Sequence, residues 1–180
     1  MTKVCWFNDI LSFAQAWKSI PHSNLDKVFY DGNKKKTVNI YKKSAEGNEF
    51  RINALSLFLH NVKPEWEDEV NKQGGEFRLN FQSAMSIDTL QKIWTRIVFD
   101  IVMKKFPEID MVAGVRVLDK YDLNRGNNFR LEIWTKFAER NEHFGSLLEE
   151  YLKTKVIAEI IVAADKEDGK TTSEPRIEFK

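Results

Sequence analysis

The sequence contains a single cysteine, Cys5, so it can form neither a disulfide framework nor a multi-cysteine zinc site, and it reads as the chain of a reducing compartment. It has no run of the ~18 apolar residues that a membrane-spanning helix requires, and residues 1–6 lack the layout of a signal peptide. The expected location is cytosol or nucleus, without membrane association. Neither sign of charge is in excess: Lys plus Arg is 28, Asp plus Glu is 27, and the net charge is +1. A protein that coats nucleic acid in bulk would be strongly basic, so that class is excluded while local basic clusters remain open. The three histidines, His22, His60 and His143, have no second histidine at ligand spacing, and no metal site is expected. No nucleophile elbow, P-loop or dinucleotide fingerprint is present. Cys5, among apolar neighbours, reads as inert packing. The chain is therefore expected to be no enzyme, with no catalytic residue, metal or cofactor.

What is present is a chain of 180 residues, 42% apolar, enough for one domain over residues 1–180 with its own core. Residues 3–7 read as a strand, 10–19 as a loop, 24–30 as a second strand and 37–44 as a short helix. Residues 42–49 read as a polar loop or insertion. Residues 54–59 and 76–81 are strand-like, the latter alternating with Phe77, Leu79 and Phe81 on one face. The clearest helix spans about 86–105, with Ser86 as its cap and a stripe of Leu90, Ile93, Trp94, Ile97 and Ile101. Residues 112–120 and 129–134 read as a hairpin, 139–153 as a helix, 155–163 as a strong strand, 165–175 as a polar loop and 177–179 as a last strand. Strands with single helices between them predict an α+β fold, a mostly antiparallel sheet with helices on one face.

Five tryptophans are spread along the chain: Trp6, Trp17, Trp66, Trp94 and Trp134. Trp6 and Trp94 sit in apolar patterns and read as core. Trp17 and Trp66 sit among polar and turn residues, where an indole has little packing reason to be. Two indoles in loops, one followed directly by Glu67, suggest a slot for a flat ligand. Parallel indoles stack a planar base, more strongly if it is cationic, and a carboxylate at the slot edge accepts paired N–H donors such as those of guanine.

The segment Val62-Lys63-Pro64-Glu65-Trp66-Glu67-Asp68-Glu69 through Gly74-Gly75 resembles the signature of the eukaryotic initiation factor 4E family, the messenger RNA cap-binding proteins. The resemblance continues through Leu90–Trp94 and Arg130–Thr135. It implies a curved sheet of about six to eight strands, three helices on the convex face and the ligand slot on the concave face. It also implies a monomer that binds the 7-methylguanosine cap of 5′-capped messenger RNA in translation initiation. Trp17 and Trp66 would sandwich the methylated base, Glu67 would accept from its N1 and N2 groups, and Trp134 would lie against the methyl. Arg130 and either or both of Arg116 and Lys120 would hold the phosphates. A scaffold of the initiation factor 4G type, or a repressor, would dock on the convex face near Tyr41 and Trp94. The alternative is a repressor or specialised paralogue that binds cap without recruiting the scaffold. Where the family carries an arginine after the Gly-Gly turn, this chain has Glu76, which removes a positive charge from the expected phosphate region.

Overall fold

The computed structural model describes residues 3–29, 42–43, 46–47, 49–50, 52–81, 85–120, 129–136, 142–168 and 172–180. In chain order its elements are α1 (Ile10–Ser19), a 3-10 turn (Pro21–Ser23), α2 (Leu25–Phe29), β1 (Lys42–Lys43), β2 (Glu49–Phe50), β3 (Ala54–Phe58) and β4 (Glu76–Phe81). Then come α3 (Ile87–Val102), β5 (Val112–Asp119), β6 (Phe129–Thr135), α4 (Glu142–Tyr151), a π-helical stretch (Leu152–Ile157), α5 (Ala158–Asp168) and β7 (Arg176–Phe179). β3, β5, β6, β4 and β7 form, in that order, one curved antiparallel sheet, and β1 pairs with β2 in a separate ribbon. The α+β class holds, although the main sheet has five strands among the described residues rather than six to eight.

Alternation explains which side of the sheet is core. Phe77, Leu79 and Phe81 of β4, Leu131 and Ile133 of β6, and Val115 and Val117 of β5 are buried in one cluster with Leu90, Ile93, Trp94 and Ile97 of α3. Phe144, Leu148, Leu152 and Val156 of the long C-terminal rod join the same cluster. The intervening strand residues, including Arg116, Arg78, Glu76, Arg130, Glu132 and Trp134, therefore point to the opposite face.

Four local expectations are corrected. Residues 10–19 are a helix, not a loop: Asp9 caps it in a reciprocal capping box with Ser12, whose N–H donates to Asp9 Oδ1 at 2.8 Å. Residues 25–29 are helical rather than extended, because Leu25, Val28 and Phe29 share one buried side at helical spacing and the side-chain Oδ1 of Asn24 accepts the Lys27 N–H at 3.1 Å. Residues 155–163 are helical, not a strand. Val156, Ile157, Ile161 and Ala164 line one buried stripe, whereas a strand would bury alternate residues. Residues 3–7 form no strand; Cys5 is exposed, and Trp6, expected in the core, is 63% exposed with its ring 5.6 Å from that of His60. The helix expected over 37–44 falls mostly outside the described residues.

Candidate functional site

The loop from β3 to β4 carries the acidic tryptophan segment, and short-range hydrogen bonds hold it. Asp68 accepts the backbone N–H of Lys63 at 2.9 Å and of Val70 at 3.0 Å. These donors stabilise the ionised carboxyl and hold its pKa below the ordinary value. Asn71, fully buried, donates through its side-chain amide to the carbonyls of Lys63 at 2.7 Å and Glu65 at 2.9 Å. The loop closes against the end of β6: the Gly75 N–H donates to Thr135 Oγ1 and the Thr135 N–H donates to Gly75 O. A Cβ on Gly74 would stand 1.8 Å from the Thr135 carbonyl oxygen, so only glycine permits this approach.

The clamped loop sets Trp66 onto the sheet. Its indole stacks on that of Trp134, centroids 4.0 Å apart and planes inclined by 21°. Trp66 remains 41% exposed while Trp134 beneath it is 1% exposed. Phe58 meets Trp134 edge-on at 5.6 Å, and it lies flat enough over β5 that only Gly114 fits below it, a Cβ there falling 2.4 Å from the phenyl ring. The guanidinium of Arg116 lies 4.6 Å from the Trp134 ring centroid. Glu67 is exposed beside Trp66.

Next to the indole stack lies a lattice of charges in cross-strand register. Glu132 faces Arg116 on one side and Arg78 on the other, and Glu76 faces Trp134. Glu132 is ion-paired to Arg116, approaches Arg130 Nη1 at 3.5 Å, and accepts the Trp134 indole N–H at 3.3 Å. Arg130 also donates through Nε to Asn80 Oδ1 at 3.0 Å. Glu76 pairs with Arg78 through one oxygen. Burial first, and the nearby Glu132 charge second, push the Glu76 carboxyl above its ordinary pKa. Lys120 is exposed just beyond the end of β5.

The expected site residues thus divide. Trp66, Glu67, Trp134, Arg116 and Arg130 gather on or beside the face of the sheet opposite α3, with Lys120 at its margin. Trp17 does not join them. It lies on α1, half-buried, with its ring 5.6 Å from those of Phe13 and Phe99 in the helical layer, across the sheet from Trp66. The two-indole clamp of Trp17 and Trp66 is therefore not formed; the capped α1 carries Trp17 into the core side instead. Trp94 is likewise no partner contact: it is 0% exposed and its indole N–H donates to the His22 carbonyl at 2.9 Å. Tyr41 lies outside the described residues. Sequence reasoning missed Glu132, although its place two residues before Trp134 in an alternating strand puts both on one face, and it missed the supporting roles of Asp68 and Asn71. Among the described residues no group of three His, Cys, Asp or Glu side chains converges as a metal site, and no helix is long and apolar enough to cross a membrane.

Comparison with known proteins follows the same lines. A family model described as eukaryotic initiation factor 4E matches residues 1–177. Eukaryotic translation initiation factor 4E1 of Drosophila melanogaster is 29% identical over 87 residues, covering 48% of this chain and 31% of that protein. Eukaryotic translation initiation factor 4E of Bos taurus is 31% identical over 103 residues, covering 54% of this chain and 44% of that protein. The matched stretches thus span less than half the length of these curated relatives. Among solved structures, Caenorhabditis elegans eIF4E-3, in complex with the 4E-binding protein Mextli and cap analog, superposes with a TM-score of 0.56 at 22% identity, covering 85% of this chain and 70% of that one. Ascaris suum eIF4E-3 in complex with m7G cap gives a TM-score of 0.60 at 19% identity, with coverage of 85% and 69%. At those identities the structural likeness shows a shared fold.

Proposed function

The chain belongs to the eukaryotic initiation factor 4E family, and from that premise we propose that it binds the 7-methylguanosine cap of messenger RNA as a translation initiation factor. The carrying observation is an exposed indole held on a buried one, next to a free-standing carboxylate and a row of arginines. Trp66 presents its outer face to the methylated base. The 4.0 Å separation from Trp134 leaves no room for a ring between the two, so Trp134 serves as the shelf under Trp66 and meets a methyl group only if Trp66 swings outward. Glu67 accepts from the N1 and N2 groups of the base, with each charge-assisted hydrogen bond contributing roughly 1.5–3 kcal/mol. Arg130 and Arg116, with Lys120 at the rim, lie on the side where phosphates would extend. The helical face is the surface proposed for a scaffold of the initiation factor 4G type or a repressor; Ile10 and Leu11 stand exposed there on α1.

Methylation makes the guanine cationic, and stacking a cation on an indole adds about 0.5–2 kcal/mol, which is roughly 2- to 30-fold in affinity. Titration of tryptophan fluorescence with 7-methylguanosine triphosphate and with GTP tests the reading. The methylated ligand is expected to quench strongly and GTP much less. Equal quenching by both would remove the stacking role.

A further inference from the structure

On the face of the sheet opposite α3, every described arginine of the central strands already has a carboxylate partner. Arg78 is paired with Glu76, Arg116 and Arg130 with Glu132, and on β7 Arg176 with Glu178 at 3.0 Å. A phosphate chain arriving beside Trp66 therefore meets guanidiniums whose positive charge is already countered by a carboxylate, although each keeps further N–H donors. One carboxylate oxygen in this lattice is anomalous. Glu76 is 1% exposed, and its Oε2 is buried without any hydrogen-bond partner. A buried, unpartnered carboxylate oxygen is costly when ionised.

We propose that Glu76 and Glu132 form a carboxylate lock over Arg78, Arg116 and Arg130, that phosphates bind by displacing these carboxylates, and that Glu76 thereby sets how strongly the slot favours ligands with a phosphate chain. The proposal rests on the cap-binding reading for the identity of the ligand, and it adds the residue that tunes the charge of the site. When Glu76 is ionised it holds Arg78 and adds a negative charge beside Trp134. When Glu76 takes up a proton, Arg78 is released and the site gains one net positive charge. Phosphate binding and protonation of Glu76 thus reinforce each other.

The charged groups that bear on Glu76 fit this sense of coupling. Its own strand contributes Arg78. β6 contributes Glu132 and Arg130, β5 contributes Arg116, and β7 contributes Arg176, Glu178 and the neighbouring Lys180. Glu132 disfavours the Glu76 anion while Arg78 and Arg116 favour it, and burial outweighs them. Added phosphate charge pushes further toward the protonated form.

The test compares a capped dinucleotide, m7GpppG, with 7-methylguanosine nucleoside, by tryptophan quenching between pH 4 and 7.5. Internal phosphates of the dinucleotide stay ionised across this range, and titration of the base is common to both ligands, so the ratio of the two affinities isolates the phosphate contribution. In the wild type this ratio is expected to rise as pH falls. In Glu76→Gln, which keeps an acceptor for Arg78 without the charge, the ratio should be about 10-fold above wild type at pH 7.5 and nearly independent of pH. Equal ratios in the two proteins overturn the lock. If Glu76→Gln does not fold, the wild-type ratio decides alone, and a flat ratio overturns it. If neither methylated ligand quenches, the cap-binding reading falls. Inorganic tripolyphosphate then decides the lock by its thermal stabilisation of the two proteins: a larger gain for Glu76→Gln supports it, and equal gains overturn it.

Discussion

The indole of Trp66 rests on that of Trp134, face to face at 4.0 Å, although the two are separated by 68 positions in the chain and only one of them is buried. Trp66 is presented by a loop that Asp68 and Asn71 knit internally. Trp134 is fixed by its strand, by Phe58 and by Glu132. On the proposed function the pair would act as a stacking platform: the lower ring restricts the upper one, so a ligand that stacked on Trp66 would order fewer degrees of freedom on binding.

The first prediction separates the two tryptophans that sequence reading had paired. Trp66→Ala should abolish quenching by 7-methylguanosine triphosphate while costing at most about 1.5 kcal/mol of stability, the worth of an aromatic pair. Trp17→Ala should do the reverse, costing roughly 1–3 kcal/mol through lost contact with Phe13 and Phe99 while leaving ligand affinity within about 2-fold. Chemical denaturation and fluorescence titration read the two effects. Loss of affinity in a stably folded Trp17→Ala would restore the clamp.

Glu67→Ala should weaken binding of the methylated ligand by about 10-fold or more, since a charged acceptor for two N–H groups is removed. Its exposure means that the melting temperature should hardly move. An unchanged dissociation constant would take Glu67 out of the site.

Asn71→Ala should lower stability by about 1–3 kcal/mol, because the Lys63 and Glu65 carbonyls lose the buried amide that satisfies them. Ligand affinity should fall as well, since the same two bonds fix the approach to Trp66. Urea denaturation with parallel titration checks both. Destabilisation with unchanged affinity would mean that the loop holds Trp66 without Asn71.

Glu76 gives the chain a pH-dependent stability with a defined sign. Its folded pKa lies above the ordinary value of 4.5. Its contribution is therefore fully present below that ordinary value and is lost as pH rises through the raised folded value. The melting temperature of the wild type relative to Glu76→Gln should decline from pH 4 toward pH 8. A constant difference across that range would show that Glu76 ionises in the folded protein as it does in water.

Much of the sheet was legible because strand signals are local. Alternation marked β4, the hairpin pattern marked β5 and β6, the capped apolar stripe marked α3, and the turn residues marked the loop that carries Trp66. Strand geometry by itself puts Arg130, Glu132 and Trp134 on one face, so the place of Glu132 beside the site is legible in the sequence. The three elements near the ends were harder. Residues 155–163 are rich in β-branched residues, yet a buried stripe against the core makes them helical, a tertiary contact overriding local preference. α1 has its cap in plain view at Asp9 and Ser12, but its apolar residues do not all face inward, and Ile10 and Leu11 blurred the helical period.

By itself the amino-acid order determined which residue types the site has, and which of them share a strand face, because period-two alternation is a property of the extended backbone alone. It also determined that the loop before β4 would turn tightly, through Gly74, Gly75 and the side chains that bond back to their own backbone. Only the tertiary structure decided which remote ring lies over Trp134. That outcome depends on which side of the sheet each distant segment packs, and packing is settled by burial of the whole apolar surface, not by any short stretch of the chain. The pairing of Glu132 with Arg116 was decided in the same way, since the two come from different strands that meet only when the sheet forms.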